Sequence, residues 1–138
     1  MLLLLTLTAC SSISESKYKK KYHIDDYQTT MESSVVHALL KSKMRACYPQ
    51  SDYPSYEKII SDFDVATLEG TISYVVDKQS IGPRTLVLVE VVNDSKTAGS
   101  IVKIFAKGDL FRPASVYKHQ IHKWITGKKV DCDSRGKI

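Results

Sequence analysis

The chain has 138 residues, of which 43% are hydrophobic and 25% are charged. This length suits one domain and not two, and the ordinary globular composition excludes a wholly disordered protein. The net charge of +5 is compatible with a neighbouring anionic lipid or nucleic acid, and equally with solubility alone. Beyond the first residues, no stretch has the roughly 18 consecutive apolar residues that a membrane-spanning helix needs.

The first ten residues form an apolar leader that ends in a cysteine. Leucines at positions 2–5 and 7 supply the apolar run, and small residues come just before Cys10. Small side chains are needed there because the pocket of a signal peptidase is narrow. The segment Leu7-Thr8-Ala9-Cys10 resembles the lipobox of bacterial lipoproteins. This resemblance implies cleavage after Ala9, a thioether-linked lipid on Cys10 and acylation of the new amino terminus.

The resemblance also implies a location. In enterobacteria-like lipoproteins, Asp directly after the lipidated cysteine favours retention in the inner membrane, whereas this chain has Ser11 there. The expected position is therefore the periplasmic face of the outer membrane, with the inner membrane as the less favoured alternative. Several acyl chains on one residue anchor a protein stably, whereas a single chain does so only marginally.

Residues 10–25 are predicted to be the lipid attachment point and a flexible tether. The stretch after Cys10 is polar, poor in aliphatic residues and without a clear period, which is typical of a linker. Its four lysines, at positions 17, 19, 20 and 21, either reach anionic head groups or are simply solvated. The folded domain is predicted over residues 26–138.

Two helices are predicted at the start of this domain. The first spans about 29–46, because Thr29 and Glu32 have the spacing of a capping box and apolar residues recur at helical spacing. Pro49 prevents its continuation soon afterwards. A short second helix is predicted over about 55–63, where aromatic and aliphatic residues recur at spacings compatible with a buried face.

From residue 65 onward the pattern is typical of strands. Alternation over residues 68–76 predicts the first strand, in which Gly70 indicates a bulge or a close backbone approach. Residues 85–92 are almost continuously aliphatic, which predicts a central strand covered on both faces. A third strand is predicted over residues 100–106, and the short connections predict an antiparallel meander.

The last segment fits either a helix or a strand. Residues 114–125 favour a helix, because Tyr117, Ile121 and Trp124 share one helical face. A final short strand is predicted over residues 128–132. The expected fold class is therefore α+β, with two helices and a small antiparallel sheet of three to five strands, for which an OB-like barrel is one arrangement.

The chain has three cysteines, an odd number that needs an explanation in an exported protein. The lipid implied by the leader accounts for Cys10 and leaves Cys47 and Cys132 as a pair. The leader also implies an oxidising compartment, where disulfides persist. We predict that Cys47 and Cys132 are bridged, with two separate buried thiols as the alternative.

Motifs that would indicate catalysis are absent from the sequence. It contains no Gly-x-Ser-x-Gly, P-loop or Rossmann fingerprint, and we assign no catalytic residues, no cofactor and no enzymatic activity. His119 and His122 would lie one turn apart on a helix, which makes them weak candidates for metal ligands. Two ligands do not make a site, and no metal is predicted.

A possible binding surface is predicted where basic and aromatic residues are mixed in the C-terminal half. Such a mixture over a small antiparallel sheet is a feature of OB-folds, whereas a solvated basic face is the simpler alternative. The residues of this predicted surface are Tyr117, Trp124, Lys103, Lys118 and Lys123. No nucleic acid partner is expected for a periplasmic protein.

The sequence thus predicts a non-catalytic envelope lipoprotein. Its N-terminal lipid holds it on the membrane, and it acts through binding or structural contacts with a protein, glycan or lipid partner in the periplasm. A small metal-binding or enzymatic accessory lipoprotein that uses His119 and His122 is one alternative. An OB-like binding module whose apparent leader is a truncated terminus is another.

Overall fold

The computed structural model describes residues 15–51, 55–78, 82–110, 112–130 and 132. Within these ranges, helices and strands alternate irregularly along the chain. They are α1 Glu15–Tyr22, β1 His23–Thr29, α2 Ser33–Cys47, β2 Ser55–Asp64, β3 Glu69–Lys78, β4 Gly82–Asn93, β5 Ser100–Ala106 and α3 Ala114–Ile125. The predicted α+β class is confirmed.

The five described strands form one antiparallel sheet in the order β1-β5-β4-β3-β2. Strands β3, β4 and β5 are the predicted meander, and β2 extends it by one more strand. Strand β4 lies in the middle of the sheet, as its aliphatic sequence predicts. Because β1 and β2 are the two edges of an open sheet, the strand order differs from the closed barrel of an OB-fold.

One face of the sheet packs against α2 and α3. Side chains of a strand alternate between its faces, and Val87, Val89 and Val91 of β4 all point to this side. Each helix meets them with residues three or four positions apart, because such positions share one helical face. The helical part of this core consists of Val36, Leu40, Met44, Tyr117, Ile121, Trp124 and Ile125.

The opposite face of the sheet is partly covered by α1. Tyr18 is 8% exposed and packs with Leu88 of β4 and Phe105 of β5. Tyr22, one turn later, packs against the same cluster. The prediction of a flexible tether over residues 10–25 is therefore wrong from residue 15 onward. Two tyrosines four positions apart give this otherwise polar helix an apolar contact with the sheet.

Residues 55–64 form strand β2 and not the predicted second helix. All ten residues of β2 pair with the ten residues of β3. Ile59 is buried in the core while its neighbour Ile60 is 55% exposed, which is the alternation of a strand. The spacing of apolar residues in this segment fits the period of a helix as well as that of a strand. Backbone pairing with β3 selects the strand.

Helix α2 begins at Ser33 and not at about residue 29. Glu32 is its N-cap and makes no side-chain capping hydrogen bond. Thr29 ends β1 instead, and its hydroxyl oxygen accepts the backbone N–H of Met31 at 3.3 Å. The predicted capping box is wrong because the strand uses Thr29, whereas the predicted helix itself is confirmed and continues to Cys47.

Helix α3 confirms the helical alternative for residues 114–125. Gly127 follows it with a φ of 73°, the left-handed conformation that is common after helices. In the described part of the tail, residues 128–130 form no strand and Cys132 lies in a turn, so the predicted final strand is wrong there. The described residues of the tail lead to a disulfide with Cys47 and pair with no strand.

Gly70 of β3 lies where three groups crowd the backbone. A Cβ atom there would be 2.6 Å from the carbonyl oxygen of Asp62, 2.7 Å from the Phe63 ring and 2.8 Å from the His37 ring. The His37 ring is held over this strand, because its Nε2 atom lies 3.1 Å from the carbonyl oxygen of Thr71. The close backbone approach predicted at Gly70 is present.

We expect Gly70→Ala to lower the free energy of unfolding by about 1 to 3 kcal/mol, because the added methyl group must push the strand or the rings aside. Urea unfolding followed by circular dichroism measures the change. Ser73→Ala on the same strand is the control and should change stability by no more than about 0.5 kcal/mol, since Ser73 is only half-buried. A Gly70→Ala protein as stable as the native one would contradict the steric argument.

Candidate functional site

The residues predicted to form a binding surface do not share one surface. Tyr117 and Trp124 are 1% and 5% exposed and lie on the core side of α3. Lys103 is on the opposite face of the sheet, because both of its neighbours on β5 point into the core. Lys118 is half-buried and Lys123 is exposed on α3. The prediction is wrong because the aromatic residues are the buried stripe of an amphipathic helix.

Buried aromatic rings meet instead around Tyr48, the residue that follows α2. The Tyr48 ring centroid lies 5.2 Å from that of Tyr74, 5.3 Å from that of Tyr117 and 5.9 Å from that of Trp124. The Tyr48 hydroxyl donates to Oε1 of Gln120 at 2.9 Å. Tyr48 is 2% exposed, so this bond satisfies a deeply buried phenol. We call these five residues the Tyr48 cluster.

Arg112 lies against two rings of the Tyr48 cluster. Its guanidinium carbon lies 4.9 Å from the Tyr48 ring centroid and 5.7 Å from that of Tyr117, within the range of cation–π attraction. Its Nη2 atom also donates to the carbonyl oxygen of Cys132 at 3.4 Å. The arginine thereby joins the aromatic cluster to the C-terminal segment.

The phenols of the Tyr48 cluster keep their protons at physiological pH. Burial raises the pKa of Tyr48 well above its usual value, an effect that Tyr117 reinforces and Arg112 opposes. Burial also raises the pKa of Tyr117, again against Arg112, and raises the pKa of Tyr74 to about 12. A phenol that keeps its proton cannot act as a general base, and the rings of the cluster pack against one another.

Cys47 and Cys132 form a disulfide beside the Tyr48 cluster, with their Cα atoms 5.0 Å apart. Cys47 is the last residue of α2, and Cys132 follows α3. Their sequence separation of 85 residues means that the bridge closes most of the domain into one loop. This is the pairing expected from the sequence.

The two candidate metal ligands on α3 have different surroundings. His122 Nε2 lies 2.7 Å from Oδ2 of Asp25, and the His122 ring centroid lies 4.7 Å from that of Tyr27. His122 therefore connects α3 to β1, as an ion pair when its imidazole is protonated. His119 is exposed. Among the described residues, no three His, Cys, Asp or Glu side chains are grouped as a metal ion requires.

The predicted lipid attachment residue, Cys10, lies outside the described residues, as do residues 11–14. The described chain begins with α1 at Glu15. None of the described helices combines the length and the apolar character that crossing a bilayer requires.

Three residues that organise this corner of the domain are not among the predicted site residues. They are Tyr48, Gln120 and Arg112. Gln120 did carry a signal, because it lies three positions after Tyr117 and four before Trp124, on the apolar face of α3. A polar residue on such a face indicates a buried hydrogen-bond partner. Arg112 carried no local signal, since only the fold brings the Tyr48 ring to it.

In comparisons with models of protein families, with curated proteins and with solved structures, nothing matches this chain. Its function is therefore inferred from its own residues and their geometry.

Removing the bridge with Cys47→Ser/Cys132→Ser is expected to lower the free energy of unfolding by roughly 4 to 5 kcal/mol, since the unfolded chain regains the entropy of a long open loop. Guanidinium unfolding with and without reductant measures the effect. Reductant should destabilise the native protein and leave the double variant unchanged. A native protein that unfolds at the same denaturant concentration in both conditions would exclude a stabilising bridge.

Tyr48→Phe is expected to cost about 1 to 3 kcal/mol of unfolding free energy, because it leaves the buried Gln120 oxygen without a donor. Adding Gln120→Met removes that acceptor, so the double variant should lose less than the sum of the single variants, by about 0.5 kcal/mol or more. Chemical unfolding of the four proteins gives this coupling, with Tyr56→Phe as the control at a half-buried tyrosine. Strictly additive losses would argue against the hydrogen bond.

Proposed function

We propose that this protein is a lipoprotein of the bacterial envelope that acts by binding and not by catalysis. It is cut before Cys10, acylated there and held on the periplasmic face of the outer membrane. The observation that carries the proposal is the pairing of Cys47 with Cys132. Of the three cysteines in the chain, this pairing leaves Cys10 for the lipid.

The disulfide also supports export. Such bridges persist in oxidising compartments, including the bacterial periplasm, and are rare in the cytosol. The apolar leader and its lipobox-like end, Leu7-Thr8-Ala9-Cys10, provide a route to that compartment. Two independent features, one at the start of the chain and one inside the fold, therefore favour the same location.

A binding role is supported by the positions of the ionisable groups. His122 joins α3 to β1 and Lys19 joins α1 to β4, so these side chains hold elements of the fold together. The phenols of the Tyr48 cluster keep their protons and are committed to packing.

Strand β2, in contrast, is an edge of the sheet, and its Ile60 is 55% exposed. On its outer side, the backbone of Glu57 in β2 already pairs with Ser51. Elsewhere along an edge strand, unpaired backbone groups let an extended segment of another protein add to the sheet. This edge is therefore a surface to which a protein partner in the envelope can add a strand.

Metabolic labelling with a fatty acid tests the anchor. We expect label on the native protein and none on Cys10→Ser, because the thioether requires the Cys10 thiol. Cys47→Ser/Cys132→Ser keeps Cys10 and is the matched control, which should be labelled like the native protein at equal protein amount. A native protein without label would refute the proposal.

Fractionation of the membranes from the same cultures tests the location. The native protein is expected in the outer membrane, and Ser11→Asp should move it to the inner membrane, since Asp after the lipidated cysteine favours retention there. A labelled native protein found in the inner membrane would contradict the location while leaving the anchor in place.

A further inference from the structure

Helix α1 has one side against the sheet and one side directed away from it. Tyr18 and Tyr22 pack on the sheet. Lys19 pairs with Glu90 of β4 and also with Glu15, the latter at 2.9 Å. At 3.6 residues per turn these positions share one side of the helix, so its other lysines point outward. These are Lys17, Lys20 and Lys21, which are all exposed and which we call the α1 lysines.

The α1 lysines form a cationic surface. Burial works against the charge of Lys19, but its hydrogen bonds to Glu90 and Glu15 outweigh burial and raise its pKa. None of the α1 lysines forms such an ion pair with the described residues. On the neighbouring sheet face, Lys103 stands directly opposite Asp26 of β1 and Glu90 of β4. The unbalanced positive charge therefore belongs to α1 and not to the sheet.

The start of α1 is tied closely to the proposed lipid. Glu15 is five positions after Cys10, and five residues of fully extended chain span at most about 18 Å. A lipid inserted in the bilayer therefore keeps the first turn of α1 near the head groups, whatever path the chain takes between them. Electrostatic attraction extends over about 8 Å at physiological salt. The connection is short enough to let the exposed lysines approach a charged surface to within that distance.

We propose that the α1 lysines bind the phosphate groups of anionic phospholipids, so that the domain lies on the membrane through α1. This inference rests on the proposed lipid anchor and adds the orientation of the domain to it. One lysine near an anionic surface raises membrane affinity about fivefold, and three together raise it on the order of 100-fold. Helices α2 and α3 then face the periplasm, and the edge strand β2 stays open to a partner.

Co-sedimentation of the full chain carrying Cys10→Ser with lipid vesicles separates this contact from the lipid anchor. The measured quantity is the affinity for vesicles containing phosphatidylglycerol divided by the affinity for pure phosphatidylcholine vesicles. Apolar contributions of the leader cancel in this ratio. We expect a ratio on the order of 100 at low salt, falling close to one in Lys17→Gln/Lys20→Gln/Lys21→Gln and in high salt.

The matched control removes the same charge from the opposite side of the domain. Lys43→Gln/Lys123→Gln/Lys129→Gln changes three exposed lysines of α2, α3 and the tail, and should keep the native ratio. If the ratio fell equally in both triple variants, the preference would depend on net charge alone and the proposal would be overturned. A ratio near one for the protein with all its lysines would also overturn it, because it would show no preference for anionic lipid. The chain that carries Cys10→Ser cannot be lipidated at that position. Fatty acid labelling of the native protein therefore tests the anchor separately.

Discussion

Strand β4 is buried on both of its faces, and the rest of the architecture depends on that cover. Residues 86–89 are all buried, although successive side chains of a strand point to opposite sides. Each buried aliphatic side chain contributes roughly 1.5 to 3 kcal/mol, which is large beside the total stability of a typical domain. The sheet therefore needs a layer on each side. Helices α2 and α3 form one layer, and α1 forms the other.

This requirement makes α1 part of the domain. Because Tyr18 and Tyr22 are held against Leu88 and Phe105, the helix cannot turn its lysines toward the sheet. The same packing leaves little chain between the fold and Cys10. Because β4 needs cover on this face, α1 packs there. The fold thereby also sets the side of the domain on which a lipid at Cys10 would lie.

The corner around Tyr48 closes the other side of the domain. The disulfide and Arg112 both fasten the C-terminal segment there, next to the end of α2. The guanidinium lies against the Tyr48 ring, while the hydroxyl of that tyrosine donates to Gln120. Aromatic, cation–π and covalent contacts therefore meet at one corner of the domain and hold α2 and α3 in place relative to each other.

The amino-acid sequence by itself determined the helices and strands whose hydrophobic period fits only one kind of secondary structure. The aliphatic run of β4, the alternation of β3 and the helical face of α2 each predict their structure, because at least one face of each element must be buried whatever covers it. The pairing of Cys47 with Cys132 was also predicted from the sequence, on the expectation that the lipobox-like end of the leader places a lipid on Cys10.

Only the tertiary structure decided the elements and contacts that depend on distant partners. The spacing in residues 55–64 suits a helix or a strand, and β3 provides the backbone partners that select the strand. The polar segment of α1 becomes a helix on the sheet because Leu88 and Phe105 lie there to receive its tyrosines. Tyr117 and Trp124 could have formed an exposed surface by pattern alone, but the sheet lies on that side of α3. The hydrophobic period of a segment shows that one face of the helix or strand is apolar. Which residues pack on that face depends on segments that are far away in the sequence.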